Sequence, residues 1–353
     1  MDELDRLARL LRRYSPSGRE AAAVREFLRQ ARELGYATRV DGVGNGIARI
    51  GSGRPRVVFL GHIDTVEGKL PVLRRGERLF GRGAVDAKGP LLAALLAGRA
   101  RGAAGMFEVV AAVGEETDSR GTRHLLRRAP PDALIAGEPS GWDGIALGYK
   151  GALGVRATFR GARTHSSSPV PTASDRAVSW IIAVRSLVAG RDGGSPFRSL
   201  TAKTTGLASA PRGPIELAEV CLDLRLPPGT DTAGVERELR ALEGPDALEV
   251  TGRVEPIEVE RSNPVVTALV AGVREVGGRP TLYRKGGTSD LNLAVRAWGV
   301  PGAAYGPGDP HLDHTDQERL SLADLGRAVR VLEVARERLG RSLLTPRRSD
   351  ENA

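Results

Sequence analysis

The chain has 353 residues, 41% of them hydrophobic, with a formal charge of +9, enough for two domains that each bury a core. No stretch reaches the roughly 18 to 20 consecutive apolar residues of a membrane span, and the opening MDELDRLARL is charged where a secretory leader would be apolar. Basic residues are spread along the chain and aromatics make up only 4% of it, which argues against a nucleic-acid groove. The expectation is a cytoplasmic protein with neither membrane nor nucleic acid as partner. Its single cysteine, Cys221 in the strand-like EVCLDLRL, excludes an internal disulfide and a cysteine-based zinc site.

Helical periodicity covers residues 2–14 and 19–33, the second after the turn SPSG. Strands are predicted near 36–41, 56–61, 107–113 and 132–137, with a helix over 90–100. This alternation predicts an α/β fold with a mainly parallel sheet sandwiched by helices, in which ligand sites collect beyond the carboxyl ends of strands. From 150 to 259 the pattern changes. The strand GALGVRATFRG, the helix ASDRAVSWIIAVRSLV, strands around 201–208 and 216–226, a helix near 232–242 and a strand near 246–256 predict an inserted two-layer α+β domain. The domain that receives this insert would then comprise 1–149 and 260–344, with a polar, disordered tail at 345–353.

Chemistry enters at VVFLGHIDTV, residues 57–66, where an apolar run ends in His62 and Asp64 follows two residues later. Alternation along an extended chain puts both on one side, which suits a metal-bound imidazole oriented by a carboxylate. Four further groups sit where apolar strands end: Asp86 in GRGAVDAKGP, Glu115 with Glu116 in FEVVAAVGEET, Glu138 in DALIAGEPS, and His314 in GPGDPHLDHTDQE. Taken singly, a strand-end histidine is usually structural and a glutamate pair usually solvated. Together they supply what two zinc ions about 3.5 to 4 Å apart require. Asp86 would bridge, His62 and Glu138 would complete one ion, and Glu116 and His314 the other. Asp64 would orient His62, and Glu115 would move the proton from the attacking water to the leaving amine. Lysine occurs only at 69, 88, 150, 203 and 285 in this arginine-rich chain. Lys88, Lys150 and Lys285 adjoin the motifs, as places where a compact ammonium is required would.

The segments GHIDTV, GRGAVDAKGP, VGEETDSRG and GEPS, with the His-Thr-x-x-Glu run from His314 to Glu318, resemble the dinuclear zinc amidohydrolase family. That family contains acetylornithine deacetylase, succinyl-diaminopimelate desuccinylase and the glutamate carboxypeptidases, and the resemblance runs in order over residues 10–340. It implies the ligand roles above, with two zinc ions per subunit and cobalt as a substitute. It also implies an inserted lid that forms a homodimer, and a cis peptide bond from Asp86 to Ala87. By position, His165 in GARTHSSSP resembles a lid histidine that stabilises the oxyanion in the partner subunit's site. Arg225 in CLDLRLPPG resembles an arginine that grips a substrate carboxylate. Gly286 and Gly287 in GGTSD resemble a glycine-rich substrate loop, with Ser289 and Asp290 the weaker matches. An asparagine common in the family before the lid arginine is missing from SAPRGPIEL. His311 competes with His314, but the spacing to Glu318 favours His314.

Within the family, GYKG at 148–151, LPVLRRGERLFGRGAVDAKGP and KGGTSDLN are most similar to members that release lysine or ornithine from a small acidic amino-group carrier protein, to whose terminal glutamate side chain the amino acid is joined. A basic surface would steer such a partner. A small-molecule deacylase such as acetylornithine deacetylase, a dipeptidase or carboxypeptidase, and more remotely an inactive binding protein, remain as alternatives.

Overall fold

The computed structural model describes residues 2–100 and 103–344, so the expected disordered tail at 345–353 lies outside the described residues. In chain order the elements are α1 (Glu3–Arg12), α2 (Ala21–Glu33), β1 (Ala37–Val40), β2 (Gly46–Gly51), β3 (Arg56–His62), β4 (Leu73–Arg75), β5 (Arg78–Phe80), α3 (Lys88–Ala97), β6 (Met106–Ala112), α4 (Arg120–Leu125), β7 (Ala133–Gly137) and β8 (Gly144–Tyr149). There follow β9 (Gly151–Ala162), α5 (Ala173–Ala189), β10 (Thr201–Arg212), β11 (Ile215–Leu226), α6 (Thr232–Ala241), β12 (Ala247–Val254) and β13 (Ile257–Glu258). The chain ends in α7 (Pro264–Glu275), β14 (Thr281–Lys285), α8 (Asp290–Trp298), β15 (Gly302–Ala304), β16 (Arg319–Ser321) and α9 (Leu322–Ser342).

Two compact units emerge, one from residues up to 148, 259–283 and from 289 onward, the other from 149–258 and 284–288. The first is built on a sheet in the order β1-β2-β6-β3-β7-β15-β8. β3 lies between β6 and β7 and runs parallel to both, while β2 joins β6 and β15 joins β8 antiparallel. The sheet is therefore mixed, with a parallel centre. β3, β6 and β7 are buried along nearly their whole length, as expected of central strands covered on both faces, and so read as unbroken apolar runs. α3 is apolar on all sides and buried, packed against β3, α1 and α9. A small sheet, β16-β5-β4, completes this unit.

The second unit is a four-stranded antiparallel sheet, β10-β11-β9-β12, covered by α5 and α6. Its inward residues alternate along β9 and β11, Leu153, Val155, Ala157 and Phe159 facing Leu222, Leu224, Trp180 and Val184 in one core. Phe159 meets Trp180 edge-on, with ring centroids 6.0 Å apart, a favoured aromatic geometry. One boundary differs from the sequence reading. Residues 284–288 group with this unit rather than with the rest of 260–344. Among the described residues no helix is long and apolar enough to cross a membrane.

Candidate metal centre

β3 runs parallel to both β6 and β7, so the carboxyl ends of all three open on the same edge of the sheet. His62 is the last residue of β3 and is 1% exposed. Its Nδ1 lies 3.0 Å from the Asp64 carbonyl oxygen. A carbonyl can only accept, so Nδ1 carries a proton and Nε2 is left as the donor atom. Nε2 points to Asp86, 2.9 Å from Oδ1.

The Asp64 carboxylate stands further off, 3.7 Å from that Nδ1. Its short contacts are with Ser17 Oγ at 2.7 Å and the backbone N–H groups of Glu115 and Glu116, each at 3.2 Å. Asp64 thus orients His62 mainly through its backbone, while its side chain fixes the two glutamates. Those glutamates sit on a turn opened by Gly114, whose φ of +75° favours glycine. A Cβ there would meet Arg120 Nη1 at 2.4 Å.

Asp86 and Glu138 are buried, and the Asp86–Ala87 peptide bond is cis, as the family resemblance implied. His314 lies in the left-handed region, φ +60°, uncommon for a residue with a Cβ. Its Nε2 is 3.0 Å from Asp86 Oδ2 and 3.1 Å from Glu116 Oε1. His311, by contrast, is 92% exposed and bonded to Asp309. Two overlapping groups result, His62–Asp86–Glu138 and Asp86–Glu116–His314, each with donor atoms within 4.8 Å of one another. Asp86 belongs to both and Glu115 to neither.

Electrostatics mark the cluster as short of positive charge. Hydrogen bonds to Asp86 and Glu116 push the His314 imidazole up to about 10. Burial alone would lower His62, yet the Asp86 charge holds it well above its ordinary value. Burial alone would raise Asp86, yet the two imidazoles keep it far below the usual carboxylate range. Burial lifts Glu115 well above that range, opposed by His62 and reinforced by Glu138 and Asp290. The five donors are oxygens and imidazole nitrogens without sulfur, a set that suits zinc or another borderline divalent ion.

The remaining expected residues lie elsewhere in the fold. His165 is exposed on the loop after β9, its Nδ1 2.8 Å from Ser167 Oγ. Arg225, in β11, is half-buried and paired with Asp223 at 2.8 Å. Gly286 and Gly287 face open space, with nothing within 4 Å of where a Cβ would stand. All four belong to the second unit. Ser289, in the first, is buried and caps α8, its hydroxyl accepting from the Leu291 N–H at 3.2 Å, so a local helix-capping role accounts for it. Asp290, a weaker match to the substrate loop, is buried and pushed up to about 6 by that burial. Residues that the sequence reading left without a role are Ser17 and Arg82, both in contact with the site's framework. Nothing in the local sequence of SPSG or FGRGA signals the contacts of Ser17 or Arg82, because their partners lie far away in the chain.

A model of the peptidase family M20/M25/M40 matches residues 58–337. This chain belongs to that family. A LysW-lysine hydrolase from Deinococcus radiodurans is 38% identical over 334 residues, 91% of this chain and 92% of that protein. A LysW-lysine/LysW-ornithine hydrolase from Sulfurisphaera tokodaii is 27% identical over 321 residues, 90% of each chain. Among solved structures, an M20 family metallo-carboxypeptidase from Sulfolobus solfataricus aligns with a TM-score of 0.80 at 19% identity, over 96% of this chain and 100% of its own. At that identity the likeness speaks for the fold. The M20 chain described here is thus a hydrolase on a metallopeptidase scaffold.

Proposed function

We propose that this chain is a two-zinc hydrolase that frees lysine, ornithine or both from the terminal glutamate of a small acidic amino-group carrier protein, in cytoplasmic lysine or arginine biosynthesis. What carries the reading is a pair of donor groups sharing Asp86, with Glu115 uncommitted beside them, in a chain 38% identical to a LysW-lysine hydrolase. LysW, in this reading, is the carrier.

His62, Asp86 and Glu138 would hold one ion, and Asp86, Glu116 and His314 the other. Two such ions would polarise the amide carbonyl and make a water acidic enough to attack near neutral pH. Glu115 takes the proton of that water on a carboxylate oxygen and delivers it to the departing amine nitrogen as the carbon–nitrogen bond breaks. The products are the carrier's glutamate carboxylate and the free amino acid. Asp64 keeps Glu115 in place through its backbone N–H. His165 donates to the tetrahedral oxyanion in the partner subunit's site, and Arg225 binds the carboxylate of the amino acid. The open backbone at Gly286 and Gly287 gives the substrate room.

The homodimer belongs to the same proposal. β10 is an exposed edge strand, and Val178 and Ile182, 49% and 59% exposed, lie one turn apart on α5, a pairing of edge and apolar stripe that a second copy would cover.

The deciding experiment measures lysine and ornithine released by the zinc-loaded protein from a carrier conjugate, beside N-acetylornithine and succinyl-diaminopimelate. A strong preference for the conjugate supports the proposal. Preference for a small acyl amino acid would move the assignment to a deacylase.

A further inference from the structure

Glu318 belongs to neither donor group, yet it is 1% exposed and both its carboxylate oxygens are committed. Oε1 accepts the backbone N–H groups of Val85 at 2.9 Å and Asp86 at 3.1 Å. Oε2 accepts from Arg82 Nη1 at 3.1 Å. The same Nη1 donates to the carbonyl of Thr315, the residue after His314, at 2.9 Å, while Arg82 Nε donates to the Gly68 carbonyl at 3.1 Å. The Gly81 N–H returns to the Glu318 carbonyl at 3.1 Å, and Arg319 then pairs with Phe80. The backbone of Asp86 and the backbone beside His314 are thus tied to one buried ion pair.

From this geometry we infer that Glu318 and Arg82 form a positioning clasp that sets the separation of Asp86 and His314 and so holds the donor group Asp86–Glu116–His314 at metal-binding spacing. His314 needs such a device more than the other donors. His62 ends a central strand and Glu138 directly follows one, whereas His314 sits half-exposed with φ +60° on a loop whose one regular feature is the 3-10 turn Pro310–Leu312. Ligand-orienting partners of this kind typically change metal affinity about 10- to 100-fold when lost. A carboxylate one methylene shorter cannot reach both sides of the clasp, although its charge is the same.

The inference rests on the two-ion reading, and the test separates the two. Wild type, Glu318→Gln, Glu318→Asp and His314→Ala are loaded with cobalt and titrated with a chelator, following the visible spectrum for metal and circular dichroism for fold. Both Glu318 variants are expected to release one ion at about 10- to 100-fold lower chelator concentration, with the other ion unchanged and the residual spectrum matching that of His314→Ala. A Glu318→Asp protein that keeps both ions as wild type does would overturn the clasp, since charge alone would then suffice, and equal weakening of both ions would overturn it too. Wild type binding fewer than two ions would sink the two-ion reading and the clasp with it. Should the Glu318 variants fail to fold, Arg82→Met decides: the same selective loss supports the clasp, and unchanged affinity for both ions ends it.

Discussion

At the scale of single residues, geometry sets two neighbouring glutamates apart. Glu116 lies within a donor group and Glu115 outside both, so Glu115→Gln should leave metal content unchanged and slow turnover by about 10²- to 10⁴-fold. Metal analysis beside steady-state rates checks this, and lost metal would move Glu115 into the ligand set. His165→Ala should also keep its metal but slow catalysis about 100-fold or more; full activity would remove the oxyanion role. His62, Glu116 and Glu138 were legible in sequence because they lie at or just past the ends of the apolar strands β3, β6 and β7, whereas Asp86 and His314 stand on loops rather than at strand ends and were legible through the motifs around them. The lysines were legible in another way. Lys88 Nζ donates to the carbonyls of Leu10 and Arg13, and Lys150 Nζ to those of Pro196 and Ser199. Such clustered acceptors suit a compact ammonium rather than a planar guanidinium. Arg82 and Ser17 were not legible, because what makes them matter is a partner brought near only by folding.

At the scale of elements, the strands of the insert lie within a few residues of their sequence assignment because one buried face imposes strict alternation along β9 and β11. The short elements are another matter. β2, with glycine at both ends, the exposed β4 with β5, and the three-residue β15 carry no periodic signal of their own, and tertiary pairing gives them their place. The stripe Leu325, Val329, Leu332, Ala335 and Leu339 of α9 did carry the helical period, although no element was assigned there. The pairing of β2 with β6 puts Arg49 opposite Glu108. Glu108 is buried between the guanidinium groups of Arg49 and Arg128. Burial alone would raise this carboxyl, but Arg128 and Arg49 hold it below its ordinary 4.5. Between the folded value and about 4.5 the unfolded state binds more protons, so this stability is present above that window and lost as pH falls through it. Glu108→Ala should cost about 3 kcal/mol, the low end for a broken buried pair because both arginines reach solvent. Urea midpoints between roughly pH 3 and 6 should be flatter for Glu108→Gln than for wild type; parallel curves would contradict the assignment.

For the whole molecule, the charge of +9 bears on encounter rather than on chemistry. If an acidic carrier is the substrate, kcat/KM for the conjugate should fall as salt rises from about 0.05 to 0.5 M, while that for a small amide stays nearly flat. Equal salt dependence for both would remove steering from the account. Ile182→Lys should give a monomer by sedimentation if α5 and β10 form the dimer contact, whereas an unchanged mass would place the contact elsewhere. β15, residues 302–304, lies between β7 and β8, and the donors run from position 62 to 314. On the ribosome, the first four donors and the entire insert are therefore made before the strand that closes the sheet and the histidine that closes the cluster. Domains tend to fold as they emerge, so the insert can mature while the sheet still has a gap. Translation thus delays a complete donor cluster until the last stretch of chain has appeared, and a nascent chain cut short before His314 would be born without one.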